Sequence, residues 1–215
     1  MSSNPQSAIR NPESAQAPSR FHALRSPAAI LLFLLTTGIG LGIDLWSKSH
    51  AWQTLTYPDT LERDPNSGHL RVDSDTYTFL PGWLHFKVTV NEGAVFGLGQ
   101  GNQTLFAIVS IAAILFLTYL FATSGRRWFY QLVLGMLLAG VLGNLYDRMV
   151  FHYVRDMLYM LPGRQWPGSN REIFPWIFNV ADSLLCVGVA LMVVYSFFAQ
   201  EPEHTSDGRP DAVTA

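Results

Sequence analysis

Four long apolar runs set the terms on which this chain can fold. They cover residues 27–46, 104–123, 128–145 and 176–198, and no Lys or Arg stands inside any of them. A bilayer core takes ~20 residues of helix to cross, so each run is long enough or nearly so. Each is apolar on every side rather than along one stripe, which a soluble amphipathic helix would not be. Trp and Tyr sit near several of the ends, as interfacial anchors do. The expected fold is an all-α integral membrane protein of four transmembrane helices. Ser49-His50-Ala51 after the first run has the small-x-small form of a signal-peptide cleavage site, but the run is too long for a signal peptide and Asp44 and Lys48 intervene.

Composition narrows the function. With 49% hydrophobic and 14% charged residues, the chain lies on the apolar side of the soluble average. A net charge of -2 with scattered basic residues gives no surface for nucleic acid. The single cysteine, Cys186, rules out an internal disulfide, and the six histidines form no HExxH. Neither a metal nor another cofactor is expected.

Basic residues on short flanks orient the spans. Arg10, Arg20 and Arg25 precede the first run, and Arg126 and Arg127 fill the turn between the second and third. Both tails, 1–26 and 199–215, polar and rich in turn residues, are expected to be disordered and cytoplasmic. Two loops, 47–103 and 146–175, then face outward. Arg148, Arg155, Arg164 and Arg171 in the second loop run against that rule; either the rule is weakly obeyed or some of them serve the function. Within the first loop, 57–75 is polar and irregular, whereas Leu84, Phe86, Val88 and Val90 alternate with His85, Lys87 and Thr89. That is the period of a strand, so a small β-sheet or hairpin is expected against the outer leaflet.

A charged residue in or beside a span costs about 2.5–3.5 kcal/mol at its centre and calls for a partner or a purpose. Polar residues gather on one side here. Asp44 and Lys48 close the first run, Asn144, Asp147 and Arg148 the third, and Asn179 and Asp182 open the fourth. Asn91 and Glu92 of the outer loop belong to the same level. Spacings of four (Asp44 and Lys48, Asn144 and Arg148) and three (Asn179 and Asp182) put each pair on one helix face. Helix ends are ordinarily polar, and that accounts for Asp182 in a first turn and Lys48 near a C-terminus. It does not account for Asp44 and Asp147, acids where the helix dipole disfavours them.

The chemistry thins by elimination. Ser183 has no histidine at relay spacing, and Cys186 lies a turn deeper, where a small packing residue fits. Carboxylates remain. Two that share a proton can activate water and protonate a leaving group. Asp182 is one candidate; for its partner, spacing leaves both Asp147 and Asp156 open. A proton-coupled transporter or channel would instead string acids through the depth of the bilayer, yet none lies between 104 and 145 or beyond Asp182 in the fourth run. A catalytically silent binding protein on the same scaffold is the other alternative.

Five blocks in order, "DLWSK" from Asp44, "NEGAVFG" from Asn91, "AGVLGNLYDR" from Ala139, "VRDM" around Asp156 and "FNVADS" from Phe178, resemble those of the lipoprotein signal peptidases (signal peptidase II), bacterial aspartic peptidases. The resemblance covers about residues 27–198. It implies a catalytic pair, Asp156 and Asp182, with Asp44, Asn91, Gly93, Asn144, Arg148 and Asn179 lining the site as positioning residues. It further implies a monomeric inner-membrane enzyme with a small periplasmic β-sheet, acting at the periplasmic side. Its substrates would be diacylglyceryl-modified prolipoproteins, its surroundings membrane lipid, and globomycin its inhibitor. This chain departs from the family pattern at Ala139, at Leu45-Trp46-Ser47, at Met157, and by insertions near 57–75 and 161–176. The second insertion lengthens the loop that brings Asp156 over Asp182.

Overall fold

The structure is a computed structural model, and it describes residues 23–93, 102–125 and 127–198. The two tails beyond these, most of the NEGAVFG block with Phe96, and Arg126 lie outside the described residues. In chain order the elements are α1 (Pro27–Leu55), β1 (Glu62–Arg63), β2 (Leu70–Arg71), β3 (Thr76–Leu80), β4 (Leu84–Asn91), α2 (Gln103–Thr123), α3 (Trp128–Val150), β5 (Val154–Met160), β6 (Ile177–Phe178) and α4 (Val180–Phe198).

All four helices are long and apolar enough to cross a membrane. Leu31, Leu34, Leu35, Ile39 and Ile43 of α1, and Ile108, Val109, Leu115 and Phe116 of α2, are exposed on the outside of the bundle. Such surface suits lipid, and lipid in turn removes the hydrophobic drive for helices to associate, leaving close packing of small residues and polar contacts to hold them. α3 is the central helix and packs on α1, α2 and α4. Its small residues make the approach possible. A Cβ at Gly140 would lie 2.6 Å from the Ala181 carbonyl oxygen of α4, and one at Gly143 would collide with the Asp44 carboxylate of α1. At the other end of the bundle Phe33 stacks on Phe121 at 4.1 Å, and Gln131 closes the α2–α3 turn by donating to Ser124 Oγ and the Gly125 carbonyl.

Three helix boundaries differ from the sequence expectation: α1 and α3 run on for one shared reason, and α4 starts late because Ile177 and Phe178 pair as a strand with β5. α1 starts as expected, with Ser26 as N-cap and Pro27 behind it, but runs 29 residues to Leu55 rather than stopping near Trp46. α3 likewise continues past Leu145 to Val150, and α4 begins at Val180 rather than Trp176. Polar residues that looked like the ends of apolar runs lie inside helices and are satisfied there by one another. At a rise of ~1.5 Å per residue, α1 is ~43 Å long and stands well beyond a ~30 Å hydrocarbon core.

The β elements make all-α too narrow a description. β3, β4, β5 and β6 form a four-stranded antiparallel sheet in that order, with β4 spanning the alternating run. The stretch expected to be irregular carries a short antiparallel ladder, β1 on β2, with Glu62 opposite Arg71, and a bridge from Thr56 to Ser74. Val88 of β4 and Met157 of β5 pack with Ala51, fastening the sheet to the projecting turns of α1. Between the pairs Phe86–Leu158 and Thr89–Asp156, β4 carries one residue more than β5. Such a bulge re-aims side chains beside it, and Asp156 is its neighbour.

Candidate functional site

The site is built on the beginning of α4. Asn179 is the residue before the helix and Asp182 its third residue, and they cap one another: the Asp182 amide donates to Asn179 Oδ1 at 2.9 Å, and the Asn179 amide donates to Asp182 Oδ2 at 3.3 Å. This is the reciprocal pattern of a capping box. The next free donor of the helix start, the Ala181 amide, reaches across to Asp44 Oδ1 of α1 at 2.8 Å. The position of Asp44 thereby makes sense: it lies inside α1, and the positive helix end it meets belongs to α4.

From that cap the polar groups spread outward. Asn179 Nδ2 donates to Asp156 Oδ1 at 2.6 Å and to Asn144 Oδ1 at 3.1 Å. Asn144 Nδ2 donates to Asp182 Oδ1 at 2.8 Å. Asn91 Nδ2 donates to Asp156 Oδ2 at 3.2 Å, while its Oδ1 accepts from the Gly93 amide at 2.9 Å. Asp156 and Asp182 are thus joined through one residue, Asn179, and are held by neutral carboxamides rather than by cations.

Behind this layer lies a second, charged one. Lys48 Nζ is 2.7 Å from Asp44 Oδ2 and 3.7 Å from Asp147 Oδ2, with all three side chains fully buried, and it donates to Asn144 Oδ1 at 3.0 Å. Asp147 takes a fork from Arg155, Nη2 to Oδ1 at 2.8 Å and Nε to Oδ2 at 3.2 Å, and also accepts the Arg155 amide at 3.0 Å. The guanidinium of Arg155 lies 4.2 Å from the centre of the Phe151 ring. These contacts tie the start of β5 to the end of α3, across a turn in which His152 takes the left-handed conformation, φ 65°. Of the two candidate partners for Asp182, Asp147 is occupied by this pairing and Asp156 is not.

Asp156 and Asp182 both line a cavity of about 350 Å³, together with Asn91, Ser183 and Cys186. Its remaining walls are apolar: Met160, Ile177, Phe178 and, from the long segment between β5 and β6, Phe174 and Trp176. Burial, and after it the neighbouring Asp182 carboxyl, push the Asp156 carboxyl well above the usual carboxylate range, while the Asn91 donor and the field of Lys48 pull the other way. Among the described residues, no group of three or more His, Cys, Asp or Glu side chains is arranged to hold a metal ion.

Every candidate site residue lies among the described residues. Asn91, Asn144, Asn179, Asp156 and Asp182 touch one another directly. Asp44 lies one contact behind them. Arg148 holds the Gly93 carbonyl at 2.8 Å and the Asn144 carbonyl at 3.2 Å, with its guanidinium 5.3 Å from the centre of the Phe106 ring. Phe86 lines a separate cavity of about 460 Å³ with Trp46, His50 and Tyr77. Sequence reasoning passed over Lys48 and Arg155 as supports. Two of the four arginines that broke the orientation rule, Arg148 and Arg155, are in or directly behind the site, and their conflict with that rule was the available signal.

Comparison with known proteins places the chain in a family. The family described as Signal peptidase (SPase) II matches residues 36–198. A lipoprotein signal peptidase of Rhodopirellula baltica is 32% identical over 178 residues, 77% of this chain and 71% of the relative. One of Enterococcus faecalis is 31% identical over 168 residues, 77% of this chain and 88% of the relative. A solved bacterial membrane enzyme, determined by the in meso method, superposes with a TM-score of 0.57 at 26% identity, covering 87% of this chain and 94% of that one.

Proposed function

The chain belongs to the signal peptidase II family, and on that premise we propose that it is an aspartic endopeptidase whose catalytic pair is Asp156 and Asp182. The reaction is removal of signal peptides from prolipoproteins by a multi-pass membrane protein. The observation that carries the aspartic reading is the bridge through Asn179, which binds Asp156 Oδ1 with its side chain and Asp182 Oδ2 with its backbone amide. Two carboxyls so joined, in a largely apolar cavity, cannot easily both ionise, so the pair holds one proton over a wide pH range.

The ionised carboxylate takes a proton from water as the oxygen attacks the scissile carbonyl. The protonated one donates to the carbonyl oxygen. As the tetrahedral species collapses, the proton taken from water passes to the leaving amine, the other carboxylate takes back a hydroxyl proton as the new carboxyl forms, and the pair returns to its starting state with one proton. Asn144, Asn179 and Asn91 keep the carboxyls in place, and Arg148, through the Gly93 carbonyl, holds the chain that follows Asn91. Phe174, Trp176, Phe178 and Val187 offer the apolar wall that a signal helix or an acyl chain needs. In this reading the substrate is diacylglyceryl-modified, the site faces the periplasm at the edge of the inner membrane, both termini are cytoplasmic, the protein is a monomer and globomycin blocks it.

Purified protein given a diacylated precursor should shorten it, with globomycin stopping the reaction and an unlipidated precursor left intact. Asp156→Asn and Asp182→Asn should each lose at least the 10²–10⁴-fold that a positioned acid or base contributes. Parent-level cleavage by either variant would overturn the assignment. A proton-coupled channel is the weaker reading, because Asp44, Asp147, Asp156 and Asp182 all belong to one connected cluster instead of a path.

A further inference from the structure

Glu92 stands between two residues of the site and is not used by the mechanism. Its side chain is 8% exposed, unusual for a carboxylate in a loop. Two residues donate to it and a third stands close by, all from the β1–β2 hairpin. Arg63 of β1 reaches Oε1 with Nη2 at 3.2 Å and Oε2 with Nη1 at 3.5 Å. The Leu70 amide of β2 donates to Oε2 at 2.9 Å, and His69 Nδ1 stands 3.8 Å from the same oxygen. Arg63 is itself steadied by donating to the Gly68 carbonyl at the hairpin turn.

What Glu92 joins is decisive. The β4–β5 ladder ends at the pair Asn91–Val154, so Glu92 is the first residue past it. On one side, Asn91 gives its amide to Asp156 Oδ2; on the other, the Gly93 carbonyl receives Arg148, and the Gly93 amide orients Asn91 by donating to its Oδ1. We propose that the β1–β2 hairpin is a clasp on Glu92, with Arg63 and Glu92 as positioning residues that hold Asn91 against Asp156 and Gly93 against Arg148. The proposal rests on the peptidase reading above. It gives the polar 57–75 stretch a role in cleavage although none of its residues lines the catalytic cavity.

The test uses the full chain and a diacylated precursor. Arg63 is 57% exposed, so Arg63→Ala opens no cavity. It should lower kcat about ten- to a hundredfold, the scale of a small misplacement of a reacting group, with KM changed less than about twofold. Weakening the Asn91 donor removes something that holds the Asp156 carboxyl down, so the alkaline limb of kcat/KM should move to higher pH. Asp182, Lys48 and Arg148 also act on Asp156, and the substitution touches none of them. Arg63→Lys should restore most of kcat, and Glu92→Gln should reproduce the alanine variant. If the parent does not cleave the precursor, the peptidase reading fails and the clasp with it. If the parent cleaves and Arg63→Ala retains both its kcat and its pH limb, the clasp alone is wrong. A fall in kcat with an unmoved limb and no restoration by lysine is a general loosening of the fold, and that too overturns it.

Discussion

Asn179 carries more of the site than either carboxylate it touches. Its oxygen caps α4 through Asp182, and its amide serves Asp156 and Asn144. Asn179→Asp separates these roles, because it keeps the capping oxygen and loses the donors. Helix content by circular dichroism should be retained while kcat falls by about 10²-fold or more, as for other losses of a positioned catalytic contact. The raised carboxyl of Asp156 has two consequences of known sign. Its proton is held to higher pH than in the unfolded chain, so the acid form favours the fold, and stability contributed by this group declines as pH rises from the ordinary carboxylate range through the raised value. The melting temperature of the parent should therefore drop relative to Asp156→Asn as pH increases, and parent activity should fade over the same alkaline limb as the shared proton leaves. Cys186, on the cavity wall one turn from Asp182, supplies a third check: a small methanethiosulfonate reagent should inhibit the parent but not Cys186→Ala. At this scale the sequence was most legible where spacing is fixed by a helix, as for Asn179 and Asp182. Spacing alone could not separate Asp147 from Asp156, since both precede α4 by loosely constrained chain; the Arg155 fork on Asp147 and the Asn179 contact of Asp156 distinguish them.

The elements were harder to bound than to find. Polarity inside an apolar run ordinarily marks the water interface, and α1 and α3 would then end near Trp46 and Leu145. Here the polar pairs neutralise one another across helices, so the helices continue and the interface cannot be read from them. The strand β5 posed the opposite problem: Val154, Arg155, Asp156 and Met157 are all buried, so no alternation announces it, and it was found only as a motif. Close approach of α3 to its partners depends on having no side chain at the crossing. Gly143→Ala forces a methyl group onto the Asp44 carboxylate, which in turn is held by Lys48 and by the Ala181 amide. Overpacking of this kind costs about 1–3 kcal/mol, and a lower melting temperature in detergent should be accompanied by loss of cleavage, since the displaced acid supports the start of α4.

Taken as a molecule, the protein is a helical bundle with one polar end. The α2–α3 turn closes one extremity, and the sheet, the hairpin and the cavity lined by Asp156 and Asp182 occupy the other. The proposed orientation is testable on that asymmetry. Proteinase K added to spheroplasts should cut within 57–75 or 161–176, and should reach the α2–α3 turn only after the membrane is opened. Fold class was legible because four apolar runs of that length have few other uses; the size of the sheet was not, since β3 and β5 gain their identity from pairing with β4, and β6 from pairing with β5, rather than from a pattern of their own. One consequence follows from the carboxamides that surround the acids. Asn91, Asn144 and Asn179 neither gain nor lose protons near neutrality, and the cations behind them are walled off from solvent. An enzyme facing a compartment whose acidity drifts with the medium would keep its hydrogen-bond scaffold unchanged while only the two acids respond, which confines its sensitivity to the environment to a single exchangeable proton.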